Sequence, residues 1–166
     1  PSLRRAAAAL ILAAAAGAAL ADDPVLTALD AYRAGNRAKL AEQLDAARGN
    51  ELQAYVEYWS LLLRIDEAPA TEVASFLQRH QGSVLADRLR AEWLKQLGKL
   101  EDWAAVEREY PALVYGDLET LCHGLRPRLA RHEPAALAET RSLWTEPGLP
   151  AACGPPGLVV GAAVAL

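Results

Sequence analysis

The sequence predicts an all-α fold, an α-solenoid or superhelix of stacked helical hairpins with no sheet, and three observations carry that expectation. Ala and Leu dominate a chain that is 52% hydrophobic and 23% charged with a single Phe, and such helix formers outweigh the few β-branched residues. A capping residue, three residues and then an aliphatic one recur at Asn36/Leu40, Pro69/Val73, Asp102/Val106 and Glu133/Leu137, in steps of 33, 33 and 31 residues. The partner helices begin near Asp22, Asn50, Ser83 and Asp117. A period in the low thirties belongs to helix pairs that cannot bury their apolar faces without a neighbour.

In chain order, residues 1–21 read as a secretory signal peptide. Arg4 and Arg5 make a positive start, residues 6–20 an apolar run, and Ala19-Leu20-Ala21 a small-x-small cleavage site before Asp22. The run is shorter than the roughly 20 residues a membrane span needs, so no stable span is expected. The chain opens on Pro1 and contains no Met, so Pro1 is not expected to be its biological start. The helical domain is expected over residues 22–146. Its first hairpin joins residues 24–34 to 36–48 at Gly35, facing inward through Leu26, Leu29, Tyr32, Leu40 and Leu44. Residues 51–65 contain Tyr55, Val56, Tyr58, Trp59, Leu62 and Leu63, apolar around most of a helix and so expected to be buried. Residues 71–80 return the chain through Val73, Phe76 and Leu77.

The third hairpin, residues 83–111, is the clearest. Ser83 caps a helix whose Leu85, Leu89, Trp93 and Leu97 recur at helical spacing, and Gly98 offers a left-handed exit. Asp102 caps the return helix with Trp103, Val106 and Tyr110, and Pro111 stops it. The fourth pair opens at Asp117 and runs through Leu118, Leu121, Cys122, Leu125 and Leu129, where Pro127 predicts a kink or early end; residues 133–144 close it. From Pro147 the chain is uncharged and rich in Gly and Pro, so residues 147–166 read as an irregular tail and the array as one cut short. The period is TPR-like, although the tetratricopeptide consensus itself is absent.

No catalytic constellation emerges from these residues. Cys122 and Cys153 in an exported chain predict a disulfide that ties the fourth hairpin to the tail. A zinc site from Cys122, His123, His132 and Cys153 lacks any paired ligand spacing and is set aside. His80 and His132 end helices and are expected to meet carbonyls and the negative pole of the dipole. Glu101-Asp102 and Glu107-Arg108-Glu109 read as caps and a solvated face. There is no G-x-S-x-G, Gly-rich phosphate loop or H-E-x-x-H, and no cofactor is expected. Beyond residue 21 there are 15 basic against 21 acidic residues, which argues against nucleic acid as a partner.

The stretches YVEYWSLLLRI (55–65), FLQRHQGSVLADRLRAEWLKQLGKLEDWAAVEREYP (76–111) and ALAETRSLW (136–144), followed by a cysteine, resemble the N-terminal superhelical domain of the soluble lytic murein transglycosylases of Gram-negative bacteria. The run LADRLR, then W-L, then D-W is the most specific part. The resemblance implies a periplasmic, U-shaped helical region that joins a lysozyme-like domain in a ring around peptidoglycan glycan strands. It implies cleavage of the bond between N-acetylmuramic acid and N-acetylglucosamine by a glutamate acting as acid then base. That glutamate belongs to a Glu-Ser motif of the lysozyme-like domain, and no Glu-Ser dipeptide occurs here, so no catalytic residue carries over. The tail after Cys153 also departs from the family. The expectation is a non-catalytic N-terminal fragment of such an enzyme; the alternative is a free-standing periplasmic helical-repeat scaffold that binds a protein partner.

Overall fold

The computed structural model describes residues 23–143 and 150–153. Among them every regular element is helical: α1 (Pro24–Arg33), α2 (Arg37–Ala46), α3 (Gln53–Leu62), α4 (Ala70–Arg79), α5 (Val84–Lys99), α6 (Trp103–Glu109), α7 (Leu118–Ala130) and α8 (Pro134–Leu143). Two 3-10 turns, Tyr110–Ala112 and Ala151–Cys153, complete the order. Residues 1–21, where a signal peptide is expected, together with Trp144 and the tail apart from residues 150–153, lie outside the described residues. The chain divides inside α3, between Val56 and Glu57, into two compact units.

The first unit holds the α1/α2 hairpin. Asp23 Oδ1 accepts from the Val25 amide at 2.8 Å with Pro24 at the first helical position, and Asn36 Oδ1 accepts from the Lys39 amide at 3.0 Å. Each cap satisfies an amide that the helix itself leaves free. Gly35, at φ +65°, makes the turn between them. The expected inward face of α1 is off by one residue. Val25, Ala28 and Ala31 are buried while Leu26 is 60% exposed and Leu29 and Tyr32 are half-buried. Both faces have the spacing of an amphipathic helix; the small side chains of Ala28 and Ala31 let α1 pack against α2, which brings in Leu40 at 1% exposure.

The second unit is built on α5, which packs against α4, α6 and α7. Ser83 Oγ accepts from the Ala86 amide at 3.1 Å and Asp102 Oδ1 from the Ala105 amide at 3.1 Å, so both helices of the central hairpin start where the sequence puts them. The core joins Leu61, Val73, Phe76, Leu89, Leu94 and Val106 with Trp93, Leu97 and their neighbours; all its buried members belong to the chain between Leu61 and Val106. Fully burying one such side chain is worth about 1.5 to 3 kcal/mol. The periodic positions Leu40, Val73 and Val106 are at most 1% exposed, while in α8 the equivalent burial falls on Ala136 and leaves Leu137 half-buried.

Three local expectations are corrected. Gly98 is not the exit of α5: it lies inside the helix, buried, and Glu101 takes the left-handed conformation at φ +57°. Pro127 does not end α7, which runs on to Ala130 because α5, α6 and α8 hold it in place; His132, at φ +58°, makes its exit with the His132 amide donating to the Leu129 carbonyl at 2.9 Å. In α3, Val56, Ser60 and Leu61 are buried but Tyr55 is 42% exposed, so the helix is not covered all round. A Tyr keeps its hydroxyl in water at little cost.

Candidate functional site

Two places in the second unit concentrate polar chemistry. The first is a loop held by a buried acid. Asp87 sits in the first turns of α5 at 9% exposure, and its two carboxylate oxygens accept from the amides of Val114 (2.7 Å) and Tyr115 (3.0 Å). One turn on, Arg90 donates to the Ala112 carbonyl at 3.3 Å and lies 3.7 Å from Glu109. A buried carboxylate without partners costs several kcal/mol; here the loop's amides supply them. The side chains of the same loop point outward, with Val114 71% and Tyr115 81% exposed. Beside them lies a shallow pocket of about 140 Å³ lined by Ser83, Val84, Asp87, Arg90, Ala112 and Tyr115, among others.

The second place is the contact between α5 and α7. His123, 4% exposed, lays its imidazole on the backbone of Gly98, where any Cβ would overlap the ring; Gly124 leaves room in the same way for the Tyr110 ring. Neither His123 nitrogen has a hydrogen-bond partner among the described residues, and Nε2 is 3.9 Å from Glu119 Oε1. Burial pulls the imidazole's affinity for a proton below the ordinary histidine range; Arg126, Lys99 and Lys95 add to this, and Glu119 opposes it. At the start of α7, Lys95 Nζ meets Asp117 Oδ2 at 2.5 Å and Glu92 at 2.8 Å. Burial opposes both charges, yet the hydrogen bonds prevail: Lys95 is held above, and Asp117 below, their usual values. Arg126 covers the Trp103 ring at 5.0 Å.

Cys122 and Cys153 form the expected disulfide, Cα to Cα 5.1 Å, which ties α7 to the 3-10 turn Ala151–Cys153. Both sulfurs are therefore spent, and among the described residues no group of three His, Cys, Asp or Glu could hold a metal ion. His123 and His132 end up in different roles: one buried in the α5 contact, the other a backbone turn. His80 ends α4 as expected, but its ring packs tilted against Phe76, centroids 4.4 Å apart, and its Nε2 lies 3.7 Å from Glu57. Asp102 is a cap; Glu107 pairs with Arg131, and Glu109 with Arg90 and Arg108. No described helix is long and apolar enough to cross a membrane.

Sequence reasoning missed Asp87, Arg90 and the His123–Gly98 contact. The signal was present: Asp87, Ala91, Leu94 and Gly98 recur at helical spacing and form a second buried face of α5 beside the Leu89/Trp93/Leu97 stripe. Comparison with models of protein families, with curated proteins and with solved structures finds no match.

Proposed function

We propose that the chain is a non-catalytic N-terminal portion of a periplasmic soluble lytic murein transglycosylase, a superhelix of stacked hairpins that shapes the parent enzyme's ring around glycan strands. The observation that carries this reading is where the LADRLR, W-L and D-W residues fall. Leu89 and Leu94 are fully buried, Asp87 and Trp93 nearly so, Asp102 caps α6 and Trp103 packs on the core. The residues of the resemblance are thus those that build the central hairpin, which is what a shared scaffold requires and an accidental Ala/Leu-rich likeness does not. The contacts of α5 with α4, α6 and α7 suit a stack in which each pair leans on the next.

In this role the chain binds no cofactor and performs no chemistry. Purified sacculi incubated with it should release no 1,6-anhydromuropeptides, and the DNA that follows its coding sequence should encode a lysozyme-like segment with a Glu-Ser motif. Anhydro products that vanish when a single Glu is replaced, or the lack of such a segment in every downstream frame, would overturn the proposal.

The outward Val114 and Tyr115 favour a second reading, the periplasmic scaffold that binds a protein partner. An interface residue gains from a backbone already ordered before binding, and Asp87 orders this loop. Asp87→Ala should leave the chain folded, with stability lowered by about 1 to 3 kcal/mol for the two unpaired amides, and should release the loop in hydrogen exchange. A loop as protected in the variant as in the wild type would show that Asp87 does not hold it.

A further inference from the structure

The apolar cluster between Leu61 and Val106 has no member in α7 or α8 among the described residues, while Cys122 and Leu125 of α7 and Ala136 of α8 are buried outside it. Besides its buried Leu125, α7 is fastened to α5, α6 and the turn after α6 by the His123 ring on Gly98, the Tyr110 ring on Gly124, Arg126 over Trp103, and the Lys95–Asp117 and Arg131–Glu107 ion pairs. Much of this fastening is polar, and at its centre is a histidine buried with both nitrogens unpaired among the described residues. We infer that the α5–α7 contact is a proton-operated joint: at neutral pH the uncharged His123 seats on Gly98, and on acidification it takes a proton and leaves that seat, releasing α7 from α5 while the Cys122–Cys153 bridge keeps α7 tied to the 3-10 turn.

The charges around the ring decide the direction. On α7 itself Glu119, 3.9 Å from Nε2, favours the imidazolium, and Arg126 opposes it. From α5, Lys95 and Lys99 oppose it. From α6 the charges are engaged elsewhere, Glu107 with Arg131 and Glu109 with Arg90 and Arg108. On α8, Glu139 pairs with Arg128, and the 3-10 turn Ala151–Cys153 has only a bridged cysteine. A protonated ring must place two N–H donors; Glu119 can serve one, and the other faces the Gly98 backbone. The charged form is favoured only once the ring reaches water.

The folded affinity for the proton is thus lowered relative to the open state. The closed joint is fully stable above the open-state pKa near 6.5 and weakens as pH falls below it, by up to tenfold in the open/closed ratio per pH unit, until the folded pKa is passed. The test is hydrogen exchange on the full chain at pH 7.5, 6.5 and 5.5, corrected for the chemical exchange rate, together with NMR titration of the His123 ring. Protection of α7 should fall relative to α4 by several-fold to tenfold over this range in the wild type and stay constant in His123→Gln, and the ring should titrate below 6.5. A ring that titrates at or above 6.5, a parallel loss in α4 and α7, or an undiminished pH effect in His123→Gln would each overturn the joint. The ring titration on the wild type decides the matter even if the variant folds poorly.

Discussion

Gly98 shows how a single missing methyl can matter more than a helix preference. In an open helix Gly→Ala gains about 1 kcal/mol because the unfolded glycine is so free. At Gly98 the new Cβ would overlap Nδ1, Cγ and Cε1 of His123, a 4% exposed ring whose neighbour Cys122 is held by the disulfide. The ring cannot step aside without opening the α5–α7 contact. Overpacking of this kind costs about 1 to 3 kcal/mol, so Gly98→Ala should destabilise the chain despite the propensity gain. Chemical denaturation decides it, and a stabilised variant would show that the seat has slack.

At the level of elements, α7 is the helix whose attachment is covalent as well as packed. Its bridge spans 31 residues, and closing a loop of that length restrains the unfolded chain by about 3 to 4 kcal/mol in the chain-entropy view. Replacing Cys122 and Cys153 with Ser should remove most of that. The loss should appear first in α7 and α8, because the apolar cluster from Leu61 to Val106 has no member in them among the described residues. Local hydrogen exchange separates the outcomes: protection lost in α7 and α8 with α4 and α5 unchanged is expected, and uniform loss would mean that the second unit opens only as a whole.

For the whole chain, protection should be highest from α3 through α6 and lowest beyond Asp117, since apolar burial is densest between Leu61 and Val106 and α7 leans on charges and close approaches. Far-UV circular dichroism should show helix without strand. Acid should act in two windows. The first, below about 6.5, belongs to His123, whose folded proton affinity is lowered. The second belongs to Glu72, Asp117, Glu133 and Glu139. Their partners, Arg64 for Glu72 and Arg128 for Glu139 among them, hold these carboxyls below their usual values. Their contribution is present above the ordinary carboxylate range and fades as pH falls through it. A single acid transition at carboxylate pH, unchanged by His123→Gln, would remove the first window.

Local rules determined much of this protein from its sequence. Caps at Asn36, Ser83, Asp102 and Asp117, the repeat of Leu40, Val73 and Val106, and the pairing of its two cysteines all follow from groups that act within a turn or from a simple count. What the sequence left open depends on which helix lies opposite. Gly98 could end a helix or admit a ring, and the approach of α7 chose the second; Pro127 could break α7, and packing on both sides kept it whole. Asp87 reads as an ordinary acid of a first turn until the loop at Val114 and Tyr115 brings it two amides from 27 and 28 residues away. Period and capping are written in neighbouring residues, whereas a buried polar group is defined by its partner, and only the tertiary structure decided who that partner is.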